Sequence, residues 1–225
     1  MRLVCFSDTH TYHNSITDKL PEADVLLFSG DSCGRGSLFE VEDFGLWLSS
    51  ISSRYKKILV IAGNHDWAFE RNPTQAKELI EIESNITYLR DEAITFEGVN
   101  FYGSPWQPEF CNWAFNVPRG PRLAEIWSKI PDNTDVLITH GPVYGVCDFT
   151  EYDKINVGCQ DLLERVNVIK PLLHLFGHIH EGYGIVEKDG VVYANASICT
   201  LRYKPINDPF VFDLDIKERK LTKVS

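Results

Sequence analysis

The chain has 225 residues, of which 44% are hydrophobic, 12% aromatic and 24% charged. That composition belongs to a globular protein with a sizeable core and excludes disorder, collagen and fibre. Thirty-two acidic against twenty-two basic residues leave a net charge of -10, the opposite of the excess that grips a phosphate backbone, so long nucleic acids are not expected partners. Carboxylates gathered around metal ions count as negative in that sum although a loaded site is far less so, and small anionic substrates remain open.

Leu3–Ser7 is a short apolar run that stops at Asp8-Thr9-His10, the pattern of a buried strand feeding a loop. Asp24–Ser29 runs in the same way into Gly30-Asp31, and a helix follows over Leu38–Ser53, with Leu38, Val41, Phe44, Leu48 and Ile51 near helical spacing. Ile58–Ala62 then meets Gly63-Asn64-His65-Asp66, and Pro73 opens a second helix over Thr74–Ser84. A hairpin is expected over Ala93–Tyr102, turning at Glu97-Gly98. Val136–Thr139 runs into His140-Gly141, a third helix covers Val157–Val168, and Leu172–Phe176 runs into Gly177-His178-Ile179-His180. Ile185–Ala194 reads as a hairpin around Asp189-Gly190, and Phe210–Val224 as two strands around Lys217–Arg219. Five apolar strands, each releasing metal-capable residues past its C-terminal end, predict a layered α/β protein with its site at the strand ends. One domain over residues 1–225 is expected.

Six cysteines (Cys5, Cys33, Cys111, Cys147, Cys159 and Cys199) are scattered without a CxxC pair, as in a reducing compartment. The opening MRLVCFSD lacks an apolar signal core, and no apolar run approaches ~18 residues, so a cytoplasmic protein away from membranes is expected.

The strand-end residues Asp8, His10, Asp31, Asn64, His140, His178 and His180 offer oxygen and nitrogen donors and no thiolate. That set excludes a closed zinc site of the cysteine kind and suits an octahedral pair of Mn, Fe, Zn or Co ions. Two neighbouring ions need a ligand that touches both, and the two oxygens of Asp31 make it the natural bridge. Such a pair activates a water between the ions and neutralises a phosphoryl group during in-line displacement.

Asp8-Thr-His10, Gly30-Asp31, Gly63-Asn64-His65-Asp66, His140 and Gly177-His178-Ile-His180 resemble the full signature of the calcineurin-like metallophosphoesterases. Tyr102-Gly-Ser-Pro-Trp106, Asn112-Trp-Ala-Phe-Asn116-Val-Pro-Arg119-Gly and Asn195-Ala-Ser-Ile-Cys199 further resemble the metallophosphoesterase-domain subfamily, the class III cyclic nucleotide phosphodiesterases. The resemblance implies a four-layer α/β/β/α sandwich of two mixed sheets flanked by helices. It places a first metal on Asp8, His10, Asp31 and His180 and a second on Asp31, Asn64, His140 and His178, with manganese foremost. It gives His65 a catalytic place facing the substrate and Asp66 the task of orienting it. The implied reaction is hydrolysis of cyclic nucleotides or small phosphodiesters by a metal-bridging hydroxide. Some mammalian members of the subfamily carry glycine where this chain has His178, and the histidine here favours a fully loaded centre.

The stretch from Trp106 to Arg119 interleaves Trp106, Phe110, Trp113 and Phe115 with Asn112, Asn116 and Arg119. That mixture suits stacking on a nucleobase and bonding its edges, and equally suits a packed loop. Arg35 reads as a surface arginine, His13 as a solvated loop histidine and His174 as a satisfied core residue. A nuclease on the same ligands is disfavoured by the short acidic chain, and two other readings compete. A phosphomonoesterase or protein phosphatase on the same core would need cations for a dianion, and a binding protein would show missing ligands.

Overall fold

The computed structural model describes residues 1–224. In chain order its strands are β1 (Arg2–Phe6), β2 (Ala23–Ser29), β3 (Tyr55–Ile61), β4 (Ile86–Tyr88), β5 (Glu92–Phe96), β6 (Val99–Ser104), β7 (Gln107–Pro108) and β8 (Asn116–Val117). They continue as β9 (Val136–Thr139), β10 (Phe149–Thr150), β11 (Ile155–Asn156), β12 (Leu173–Phe176), β13 (Gly184–Lys188), β14 (Val191–Asn195), β15 (Phe210–Asp215) and β16 (Lys220–Lys223). Two six-stranded mixed sheets result, ordered β16-β15-β1-β2-β3-β4 and β13-β14-β12-β9-β6-β5. Strands β1 to β4 are mutually parallel, as are β6, β9, β12 and β14, and both hairpins turn at the expected residues.

The period-two alternation of the central strands decides the layering. Leu3, Cys5, Val25, Leu27, Leu59 and Ile61 face the second sheet, meeting Phe101, Val136, Ile138, Leu173 and Leu175. Their neighbours Val4, Phe6, Leu26, Phe28, Ile58 and Val60 pack instead against Val41, Phe44 and Leu48 of the helix Leu38–Ile51, α1, and against Ala76 and Ile80 of a later helix. On the outer face of the second sheet, Tyr102, Leu137, Phe176 and Tyr193 are covered by Leu123, Trp127, Leu162 and Val166 from two further helices. Strands buried on both faces read as unbroken apolar runs, which is why the five were legible.

Helix boundaries differ from the sequence expectation for local reasons. A capping box between Ser37 and Glu40 starts α1, and its end tightens into a 3-10 turn over Ser52–Arg54. A short α2 (Trp67–Arg71), outside the expected bounds, precedes the second expected helix, α3 (Pro73–Ile80), which has Pro73 at its start. It ends before Ser84, where Glu81 turns out of the helix and its carboxylate accepts the Tyr88 N–H at 2.9 Å. A helix with no sequence expectation, α4, covers Pro121–Trp127, and α5 begins at Gln160 rather than Val157, because Asp148 holds the Val157 and Gly158 amides (3.0 and 2.9 Å).

His13 is not a solvated loop histidine: it is buried against Phe44 and Trp47, with its Nε2 3.0 Å from the Asp43 carboxylate. His174 is a core residue, 2.8 Å from the Thr139 hydroxyl through Nε2. All six cysteines are free thiols. Among the described residues no helix is long and apolar enough to cross a membrane.

Candidate functional site

The ends of β1, β2, β3, β9 and β12 converge, so the residues that follow them meet in one place. Asp8, His10, Asp31 and His178 all lie in left-handed backbone (φ of 55°, 42°, 60° and 67°), a conformation that non-glycine residues adopt at a cost and that clusters at functional sites. The loops approach so closely that the preceding residues must lack a side chain. A Cβ on Gly63 would collide with the Asp31 carboxylate and the His140 ring, and one on Gly177 with the carboxylate of Asp8 and the hydroxyl of Ser7.

The imidazoles are oriented by backbone carbonyls. Nδ1 of His10 faces Cys33 O at 3.2 Å, that of His140 faces Ser29 O at 2.9 Å, and that of His180 faces Thr200 O at 3.0 Å. A carbonyl can only accept, so each ring carries its proton on Nδ1 and presents the Nε2 lone pair inward. Nε2 of His10 and of His180 then stand 3.2 Å apart, with Asp8 Oδ1 3.3 Å from the latter. Likewise Nε2 of His140 lies 2.9 Å from Asn64 Oδ1 and 3.4 Å from Asp31 Oδ2. Electron pairs aimed at one another call for a proton or a metal ion between them, and this donor set fits divalent ions.

Asp8, His10 and His180 form one group of possible metal ligands, and Asp8, Asp31 and His140 a second. His10, Asp31 and His65 form a third, so His65 also stands within reach of an ion. His178 is outside these groups, its ring centroid 5.0 Å from that of His140. Burial disfavours charge on His10 and His178, lowering them to about 4 and about 3 and keeping both neutral. Burial acts on His140 in the same sense, but Asp31 beside it outweighs that and raises the imidazole to about 9. The pocket thus favours positive charge at this point, which a proton or a metal can provide. Asp8 and Asp31 resist the burial that would protonate them, and their histidine neighbours hold both below the usual carboxylate range.

Asp66 does not orient His65. Its buried carboxylate accepts instead from the amides of Gly63 (2.7 Å), Asp31 (2.9 Å), Ser32 (3.3 Å) and Cys33 (2.9 Å) and from the Ser32 hydroxyl (3.0 Å). It clamps the loops after β2 and β3 together, and the adjacent His65 side chain points elsewhere. His65 is held by its Nδ1 on Gly34 O at 2.8 Å and by Trp113, stacked on the ring at 4.2 Å. The Asn195–Cys199 block has a similar supporting task. Asn195 donates to Ile179 O at 2.8 Å, and the Ser197 hydroxyl to Asp8 Oδ2 at 2.8 Å.

A cleft of about 440 Å³ opens above these residues, floored by Asp31, Asn64, His178 and His180 and walled by His65, Phe110, Trp113, Tyr152 and Tyr203. Phe110 and Trp113 are therefore where a substrate would pass. Trp106 is not: its indole N–H donates to Asp91 at 2.7 Å and its ring packs on Phe115 in the interior. Asn112 is exposed away from the cleft, as is Arg35. Arg119 reaches the cleft wall, but its guanidinium donates to the carbonyls of Val157 (2.6 Å) and Gly158 (2.8 Å). Tyr152, Leu201 and Tyr203 had no signal in the sequence, since they arrive on turns without a pattern.

Comparison with known proteins agrees with this geometry. The calcineurin-like phosphoesterase family model matches residues 1–182. The human protein "Metallophosphoesterase domain-containing protein 1" is 41% identical, the match covering 95% of this chain and 71% of the relative. Among solved structures, TT1561 of Thermus thermophilus superposes with a TM-score of 0.64 at 14% identity over 99% of this chain and 97% of that one. A purple acid phosphatase, PPD1 from yellow lupin seeds, superposes with a TM-score of 0.56 at 11% identity, covering 94% of this chain and 49% of that one, and so shares the fold. With the family model spanning most of the chain and the metal-capable strand ends gathered in one cleft, the chain belongs to the calcineurin-like phosphoesterase family.

Proposed function

We propose that the protein is a dinuclear metal-dependent phosphodiesterase acting on cyclic nucleotides or other small phosphodiesters. Asp8, His10, Asp31 and His180 would hold one ion and Asp31, Asn64, His140 and His178 the other, with manganese the first candidate and iron, zinc or cobalt alternatives. When bound, the ions supply an activated water and neutralise charge on the phosphoryl group. The six free thiols fit a reducing, cytoplasmic setting.

The observation that carries the diester reading is the charge of the cleft. Among the described residues its one lining guanidinium or ammonium is Arg119, already engaged by two carbonyls, while Glu109, Asp153 and Glu181 also line it. A terminal phosphate carries two charges and calls for free cations; a diester carries one. The aromatic wall of Phe110 and Trp113 suits a flat or apolar ester group. With Nδ1–H held by Gly34 O, His65 would give a proton to the leaving oxygen from Nε2 when the ring carries a proton on both nitrogens.

The test is hydrolysis, after metal stripping and manganese reloading, of bis-p-nitrophenyl phosphate, p-nitrophenyl phosphate and the 2',3' and 3',5' cyclic nucleotides side by side. Faster diester than monoester turnover is expected. Faster monoester turnover would overturn the diester reading, and no manganese-dependent activity would overturn the enzyme.

A further inference from the structure

The cleft needs a donor for the phosphoryl oxygens that neither a ligand histidine nor Arg119 supplies. Tyr203 lines the cleft, and its ring packs edge-on against His10 at 4.8 Å, with His180 at 5.7 Å and His65 at 6.3 Å. His65 packs edge-on against the same His10 ring at 4.6 Å. Tyr203 and His65 therefore flank the point on which the ligand atoms converge.

The turn that carries Tyr203 is tied to the centre. Thr200 O accepts both the Tyr203 N–H at 2.7 Å and, at 3.0 Å, His180 Nδ1–H. The Thr200 hydroxyl accepts the amides of Arg202 and Lys204, each at 3.4 Å. Tyr203 itself lies in left-handed backbone (φ 54°), a strained conformation for an aromatic residue. Unlike the hydroxyls of Tyr55 and Tyr183, which donate to Pro21 O and Asp208 O, that of Tyr203 has no acceptor among the described residues.

We propose that Tyr203 is a substrate-contacting residue whose hydroxyl donates to a non-bridging oxygen of a monoanionic phosphodiester. This rests on the diesterase reading and deepens it. A neutral phenol serves a monoanion without bringing the positive charge that a dianion calls for. The phenol keeps its proton throughout.

The test compares manganese-loaded wild type, Tyr203→Phe and Tyr203→Ala. For Tyr203→Phe we expect unchanged metal content and folding and a loss of about tenfold to a hundredfold in kcat/KM on bis-p-nitrophenyl phosphate, the range for one hydrogen bond to a charged group. Dimethyl phosphate should also weaken as a competitive inhibitor. Wild-type diester kinetics in Tyr203→Phe would overturn the proposal, even if Tyr203→Ala were inactive, because only the ring would then matter. Loss of metal in Tyr203→Phe would also overturn it, making the residue a support for His180. A wild type inert towards every diester would overturn the diesterase reading together with this inference, whereas an active wild type with an indifferent Tyr203→Phe overturns the inference alone.

Discussion

Nε2 of His10 and Nε2 of His180 face each other at 3.2 Å, while both Nδ1 atoms are held by backbone carbonyls. Two lone pairs at that distance repel, and the buried carboxylates of Asp8 and Asp31 crowd the same space. The folded chain therefore gains by binding a cation there, and the unfolded chain has no such site. Chelation is expected to lower the thermal midpoint; with metal at about 100 times its Kd, the difference is about 3 kcal/mol, or roughly 5–10 °C for a chain of this size. Calorimetry with and without added manganese checks this, and identical midpoints would contradict a preformed site.

Asp66 and His65 are neighbours in sequence with separate tasks. Asp66→Ala would leave four buried amides without an acceptor, and a loss of at least about 3 kcal/mol in stability is expected together with loss of metal. His65→Ala should keep the fold and metal content and lose about 10²- to 10⁴-fold in kcat, the usual worth of a proton donor. Denaturant melts and metal analysis of the two variants separate these tasks. Matching profiles would restore the dyad that the sequence suggested.

Support for the ligands reaches well beyond them. The Ser197 hydroxyl donates to Asp8 Oδ2, and Ser197→Ala removes that bond without touching substrate. Metal affinity should fall about 10- to 100-fold, as for other residues that orient a ligand. Manganese titration of the stripped variant gives the number, and an unchanged Kd would show that Ser7 and the His178 amide suffice to hold Asp8.

Trp106 and Trp113 make a paired comparison. Trp106→Ala removes a large, largely buried side chain and its bond to Asp91, so a stability loss of about 3–5 kcal/mol is expected with equal effects on all substrates. Trp113→Ala should spare stability by comparison and penalise cyclic nucleotides more than bis-p-nitrophenyl phosphate, because the exposed face of the indole is free for a base. Equal penalties on both substrates would reduce Trp113 to a prop for His65.

The strand ends were readable because an apolar run buried on both faces stops abruptly where ligands begin, as Phe28 and Ser29 stop at Gly30-Asp31. The direction of a side chain was less readable. Asp66 follows His65 directly, yet the turn into α2 points its carboxylate at the amides of residues 31 to 33. Trp106 and Trp113 look alike in sequence, and what separates them is Asp91, which holds one indole inside. Tyr203 meets His10 from near the other end of the chain, a contact made by the return of the backbone after β14 and by no local pattern. The three-residue β4 was too short for any periodicity to declare it.

The central claim is a pair of ions bridged by Asp31 that drives hydrolysis. It is tested most directly by metal analysis of the manganese-reloaded wild type and Asp31→Ala, alongside their turnover of bis-p-nitrophenyl phosphate. The account predicts about two manganese ions per wild-type chain, as a bridging carboxylate requires, with fewer ions and abolished turnover in Asp31→Ala. Wild-type turnover in Asp31→Ala would contradict it.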